Sequence, residues 1–407
     1  MPRLLLFAAT TGYQLHAFAE AARRLDVVLT LATDRCHVLD DPWGDHAIPV
    51  RFHDVAGSLD ALRGVRFDAV AAVGDAPAVL AAEAAAMLDL PFHPPAAVRA
   101  CHDKYTARRL FQEAGLPVPE FFRAMLAEGP DEAARRAPYP CVLKPLDLSA
   151  SRGVIRANGP AEFAAAFRRI QAILRETQAT HLQVEAYISG REFAVEGLVT
   201  RGVPRVLAIF DKPDPLEGPF FEETIYVTPS HESDATQRTI REAVTQAARA
   251  LRLYHGPFHA ELRFNDQGAW MLEVAARPIG GLCARALRFG AGMPLEELIL
   301  RHALGEDVPA LEREDAASGV MMIPIPRGGV YEDASGIDEA RAVPGVEDVI
   351  ITAKQGQLLL PLPEGSTYLG FIFARGDNPA AVEQSLRRAH GKLSFRIDTA
   401  LPTLRPG

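Results

Sequence analysis

Cysteine is scarce in this chain, with four residues in 407: Cys36, Cys101, Cys141 and Cys283. No two of them stand in a C-x-x-C spacing, which argues against a zinc knuckle and a disulfide framework and fits a reducing compartment. Positive charge is not in excess. Lys and Arg total 43 against 52 Asp and Glu, a net charge of −9, so there is no basic footprint for nucleic acid or an anionic lipid surface. Long apolar runs are missing too. Residues 4–9, after Arg3, are apolar but stop at Thr10-Thr11-Gly12. That is short of a signal segment of about 7–15 residues and far short of a membrane span of about 20. A cytoplasmic protein with neither a nucleic-acid nor a membrane partner is the expectation. The twelve histidines include no H-E-x-x-H, so no zinc site is expected.

What is present is an ordinary globular composition, 48% hydrophobic and 23% charged, long enough for two to three domains at about 150 residues each. Over the first hundred residues, strand-like runs at 4–9, 27–31 and 69–73 alternate with helical stretches at 13–25 and 77–90. That alternation predicts a doubly wound parallel sheet. The turn after the first strand, Ala8-Ala9-Thr10-Thr11-Gly12, lacks G-x-G-x-x-G, so the segment is Rossmann-like without a dinucleotide fingerprint. Further on, strands are expected at 182–188, 193–200, 206–210, 258–264 and 269–275, with helices at 160–177 and 233–251. A boundary is placed near Pro309. The last hundred residues are strand-rich, with one helix at 378–390.

Four features carry chemistry. Lys144 ends the apolar strand Cys141-Val142-Leu143-Lys144-Pro145. Such a lysine either snorkels to the surface or aims its charge into a cleft, and the following loop, Ser149-Ala150-Ser151-Arg152-Gly153, favours the cleft. Its backbone N–H groups suit a phosphate, and Arg152 adds a fork of donors. The second feature is Glu185-Ala186-Tyr187-Ile188-Ser189-Gly190-Arg191-Glu192, an extended connector that can pair with an adenine edge, with Glu192 placed for ribose hydroxyls. An ordinary strand–turn–strand with solvated glutamates reads equally well here. The third is a hairpin turning at Asn265-Asp266-Gln267-Gly268. Regular pairing sets Glu261 opposite Leu272 and leaves Glu273 one position away. A one-residue shift or bulge would bring the two carboxylates onto one face, an arrangement that calls for a cation. The fourth is Arg277-Pro278-Ile279-Gly280-Gly281, which places an arginine just past that strand, suited to a transferring phosphoryl group or an oxyanion.

In this order the motifs resemble the ATP-grasp superfamily of carboxylate–amine ligases. Asp103-Lys104 and Gly115-Leu116-Pro117-Val118-Pro119 look like the opening of its ATP-grasp domain. The run Tyr368-Leu369-Gly370-Phe371-Ile372-Phe373-Ala374-Arg375-Gly376 resembles the L-amino acid ligase group. The resemblance implies a multidomain α/β and α+β protein: a Rossmann-like pre-ATP-grasp domain at 1–100, an ATP-grasp domain at 101–308 and a smaller strand-rich α+β domain at 309–407. It implies ATP with Mg²⁺ (Mn²⁺ as the alternative ion), small carboxylate and amine substrates, and a homodimer. By the same resemblance Lys104 and Lys144 contact phosphates, with Ser149, Ser151 and Gly153 in the phosphate loop. Glu185, Ala186 and Ile188 surround the adenine, and Glu192 meets the ribose. Glu261 and Glu273 hold the metal, and Arg277 and Arg152 are catalytic. Apart from the resemblance, Lys212, Gly280, Gly281 and Arg285 are candidates to face substrate, Arg285 and Arg288 being expected on a helix after the Gly-Gly turn. For Lys212 and the Glu222-Glu223 pair, a solvated Pro-rich loop reads equally well. Ala275 stands where the family often has a further metal ligand, and Ala150 where a glycine is common. Two other readings remain open: activation of bicarbonate or formate on the same fold, and nucleotide binding without ligase turnover.

Overall fold

The computed structural model describes residues 1–9, 14–34, 47–175, 177–308 and 311–399. The turn Thr10-Thr11-Gly12, Cys36 and the boundary at Pro309 lie outside these residues. The chain forms two compact units, each discontinuous in sequence. The first holds Met1–Val118, Phe193–Ile209 and Glu232–Asp315; the second holds Pro119–Glu192, Phe210–His231 and Ala316–Gly407.

In the first unit, the strands Ala47–Pro49, Val28–Thr33, Arg3–Ala8 and Ala69–Val73 lie side by side in that order, all parallel. The parallel sheet expected at the N-terminus is therefore present. A strand buried on both faces needs a continuous apolar run, and Leu4 to Ala8 are all fully buried. The antiparallel hairpin Gly256–Asn265 and Gly268–Ala275 shares one core with this sheet, through Phe258, Ala260, Leu262, Met271 and Val274. Next to it in the sheet order runs the strand Arg191–Thr200. There the absent side chain of Gly197 is a packing requirement: a Cβ would fall 2.1 Å from Cζ of Phe258. Two helices against the hairpin start from side-chain caps. Asp103 accepts from Thr106 N–H at 2.6 Å to open Lys104–Glu113. Ser233 accepts from Thr236 N–H at 3.2 Å to open Asp234–Ala250. Such caps satisfy donors that a helix start leaves orphaned.

In the second unit, the strands Phe121–Met125, His181–Ala186, Cys141–Pro145 and Ile155–Ala157 form an antiparallel sheet in that order. The helix Pro160–Ile173 covers it, burying Phe163, Phe167 and Ile170. The C-terminal part places the helix Pro379–His390 on the strands Ala317–Ile323 and Gly370–Gly376. A second, short helix, Ile337–Arg341, adds to the single one expected there. Among the described residues no helix is long and apolar enough to cross a membrane.

Candidate functional site

In the first unit the hairpin is regular from Asn265↔Gly268 to Leu262↔Met271. It then shifts by one residue, so that Glu261 faces Glu273 across the ladder and His259 faces Ala275. Leu272 is the extra residue of this bulge. The two carboxylates therefore share a face, and each already meets a cation. Lys104 Nζ lies 3.3 Å from Glu273 Oε2. His259 Nε2 lies 3.3 Å from Glu261 Oε1, while its Nδ1 lies 2.5 Å from Glu196 Oε1. Burial disfavours charge on His259, but Glu196 and Glu261 outweigh it and raise the imidazole to about 9. At neutral pH both ring nitrogens are therefore donors. Burial pushes the Glu196 carboxyl up, against the pull of His259. The other oxygen of Glu196 accepts from the Ile279 N–H at 3.3 Å, and Gln14 donates to the Ile279 carbonyl at 2.5 Å. The peptide between Arg277 and Gly280 is thus gripped on both sides.

Arg277 leaves the hairpin into a two-point ion pair. Its Nε and Nη2 reach Asp75 Oδ1 and Oδ2 at 2.9 and 3.2 Å, and Nη1 donates to the Pro278 carbonyl at 3.1 Å. Asp75 begins the helix Asp75–Leu88. Burial opposes its charge, yet Arg277 holds its carboxyl below the ordinary value, and Asp75 in turn raises Arg277. Asp75, Glu196 and His259, which hold Arg277 and Glu261, were not singled out in the sequence. Their only sequence signal is charge inside apolar stretches, and their partners lie up to 202 positions away. Arg285 stands on a short 3₁₀ turn, Cys283–Ala286, and Arg288 on a two-residue strand, so neither is on the helix expected there. Arg288 is instead taken into the pairing Arg288↔Pro294 and Phe289↔Met293, which turns through Gly290 and Gly292 at left-handed φ of 52° and 97°. At Gly280 a Cβ would meet nothing within 4 Å.

In the second unit, Lys144 faces Gln183 and Val142 faces Glu185 across neighbouring strands, which puts all four side chains on one face. Lys144 forms an ion pair with the buried Glu185, whose other oxygen accepts from Gln183 Nε2 at 2.7 Å. Val142 belongs to a small apolar cluster with Leu216, Phe221, Val154 and Tyr187. Tyr187 stacks on Phe221 at 6.5 Å and carries Arg156 over its ring at 4.1 Å. The Ala186 N–H is engaged by the Glu120 carbonyl at 2.9 Å, and Ile188 beyond it is buried. In the loop after Lys144, Ala150, Ser151 and Gly153 have left-handed φ of 53°, 55° and 74°. The loop is tied to the C-terminal part of the unit: Gly153 N–H donates to the Pro363 carbonyl and Arg152 Nε to the Glu364 carbonyl, each at 2.9 Å. Ser149 accepts from the Arg152 N–H at 3.2 Å. Lys212 is not on a solvated loop. It ends the strand Val203–Lys212, is buried, and binds Glu192 at 2.8 Å together with Glu223. Glu222, next to it, is half-buried, and burial raises its carboxyl.

Comparison with known proteins defines the class. Residues 137–286 match the model of the ATP-grasp domain, and residues 321–398 match L-amino acid ligase C-terminal domain 2. The chain thus carries an ATP-grasp domain followed by a C-terminal domain of the L-amino acid ligase type. Within that class it is similar to the L-amino acid ligase from Bacillus licheniformis, whose crystal structure matches with a TM-score of 0.84 at 27% identity, covering 98% of this chain and 99% of that one. The uncharacterized protein y4rH of Sinorhizobium fredii (strain NBRC 101917 / NGR234) is 24% identical over 98% of this chain and 84% of its own length. Dapdiamide A synthase of Enterobacter agglomerans is 26% identical over 151 residues, a match that spans 36% of this chain and 35% of that protein. ATP-grasp enzymes bind ATP and Mg²⁺. The residues present fit that pair of groups. Two opposed carboxylates are hard oxygen donors of the kind Mg²⁺ takes beside phosphates, whereas the buried Ala275 adds none.

Proposed function

We propose that this protein is an ATP-dependent carboxylate–amine ligase that forms amide bonds between amino acids. The carboxylate of one substrate attacks the γ-phosphorus of ATP, giving an acyl phosphate and ADP. The amine of the second attacks the acyl carbon, phosphate leaves, and the amine loses a proton. The observation that carries the reading is the opposition of Glu261 and Glu273 beside Arg277. The C-terminal match to L-amino acid ligases supports amino acids as the substrate class.

Glu261 and Glu273 would hold Mg²⁺, or Mn²⁺ in its place, which supplies charge neutralisation on the phosphates. Lys104 and Lys144 bind phosphate oxygens, exchanging part of their present pairing with Glu273 and Glu185. The Tyr187 and Phe221 cluster offers a flat apolar surface to the adenine, with Ala186 and Ile188 along its edge and Glu192 toward the ribose. Ser149, Ser151 and Gly153 line the phosphates, with Arg152 as a second cation. Arg277, oriented by Asp75, stabilises the developing oxyanion. Gly280, Gly281, Arg285 and Lys212 face the substrates. The parts 1–100, 101–308 and 309–407 are the functional segments of this reading, in a cytoplasmic homodimer. Nucleotide binding without turnover is the second reading, and Ala275 favours it.

The test is ADP and phosphate release from Mg-ATP across single amino acids and their pairs, with mass spectrometry of the products. Pair-dependent release, with a product one water lighter than the summed substrates, is expected. Bound ATP with no release for any pair would shift the reading to bicarbonate or formate, and failure there too would leave binding without turnover.

A further inference from the structure

We propose that Arg108 is a positioning residue for the two carboxylates: it holds the bulge at Leu272, and so the register in which Glu273 faces Glu261. The inference rests on the ligase reading above. In a regular ladder continued from Asn265↔Gly268, Glu261 would face Leu272. Glu273 would then point to the opposite side of the sheet, because successive side chains alternate. One extra residue changes this, and the structure inserts it between Met271 and Glu273. A bulge interrupts the ladder, and buried peptide groups there need other partners.

Arg108 supplies them. Its Nη1 donates to the Met271 carbonyl and its Nη2 to the Leu272 carbonyl at 3.4 Å. The side chain is 2% exposed, and a guanidinium is among the most costly groups to bury, so its place is set by what it binds. The helix Lys104–Glu113 carries both Arg108 and, four residues earlier on the same face, Lys104, which binds Glu273. One helix face therefore fixes the backbone of the bulge and also meets the carboxylate it presents. A lysine keeps the charge but lacks the planar fork, and a methionine keeps much of the volume without any donor.

The experiment uses the full chain with Mn²⁺ and ADP. Mn²⁺ affinity is read by electron paramagnetic resonance, and amide exchange is followed across residues 268–275. Arg108→Met and Arg108→Lys are expected to weaken Mn²⁺ binding roughly tenfold, as loss of an outer partner of a metal site does, and to speed exchange at 271–273. Deleting Leu272 in the Arg108→Met background leaves Glu261 opposite Glu273 by regular pairing, so it is expected to restore most of the affinity. A generally loosened core would not be rescued by removing a residue. Folded variants with wild-type affinity and exchange, or a deletion that restores nothing, would overturn the proposal. If Arg108→Met does not fold, Arg108→Lys decides by the same two readings. Wild-type protein that binds no Mn²⁺ with ADP would count against the ligase reading instead, while the exchange data still judge the bulge.

Discussion

Arg277 is half-buried with one carboxylate against two of its nitrogens, so its orientation belongs to Asp75 as much as to its own backbone. Removing either partner leaves a charge without its counterion, a change that costs about 3–5 kcal/mol in fully buried pairs and less at this half-buried one. Asp75→Asn is the milder change because it keeps the shape and one acceptor. It is expected to lower kcat by about tenfold or more, with little change in KM for ATP, while Arg277→Ala removes turnover and spares ATP binding. Steady-state kinetics with a nucleotide-binding titration check both, and unchanged turnover in Arg277→Ala would remove the oxyanion role. The sequence pointed to Arg277 through its place after the apolar strand and before Pro278 and Gly280. It could not point to Asp75, because the pairing joins positions 202 residues apart. Lys212 shows the opposite failure. Pro213 beside it suggested a loop, but Glu192 and Glu223 make burial of the lysine tolerable.

At the scale of elements, the hairpin and the loop after Lys144 differ in what fixes them. The hairpin turn was legible, since Asn265 Oδ1 holds the Gln267 N–H at 2.9 Å and Trp270 Nε1 at 3.1 Å, a local pattern. Its bulge was legible only as a condition, one of the ways to bring the two carboxylates onto one face; nothing local marks Leu272 as the extra residue, and Arg108, which donates to the neighbouring Met271 carbonyl, comes from a helix far off in sequence. The loop is fixed from outside as well. Glu364 receives a two-point contact from Arg169, at 2.5 and 2.9 Å, while its carbonyl receives Arg152. Glu364 holds Arg169 above its ordinary value and is itself lowered by it. The pair is substantially exposed, so its direct worth is small, about 0.2–1 kcal/mol. Its effect is expected in the loop instead. Glu364→Ala should leave the melting temperature within a few degrees, increase amide exchange over residues 149–153 and raise KM for ATP several-fold. Unaltered exchange in the loop would mean that the Pro363 and Arg152 contacts suffice alone.

At the scale of the whole molecule, three buried imidazoles work against stability in acid, opposed by His259, whose raised pKa favours the folded state as pH falls. His93 is locked as one neutral tautomer: its Nδ1 accepts from the Tyr254 N–H at 3.1 Å, so its Nε2 donates to the Pro257 carbonyl at 3.0 Å. His255 and His302 stack at 4.0 Å, with His302 Nε2 2.9 Å from Thr200 Oγ1. Burial lowers all three, His93 to about 4 and His302 to about 3; neighbouring imidazoles push the same way at His93 and His302, and Arg201 does so at His255. A group with a depressed folded pKa binds fewer protons folded than unfolded between the two values, so stability rises with pH across that window. For His93 and His302 the window opens near the ordinary 6.5 and closes near 3–4. The contribution of these two is complete above pH 7 and is lost as the pH falls, by about 2 kcal/mol per ring at pH 5, and His255 adds in the same direction. The clamp on residues 254–257 leads directly into the strand that carries Glu261. Early acid loosening is therefore expected there rather than in the C-terminal part. Urea unfolding at pH 7.5 and pH 5.0, with amide exchange at both, measures this. His302→Gln should flatten the pH slope, because it removes one ring that must charge on unfolding. An identical slope in that variant would assign the acid sensitivity to other groups.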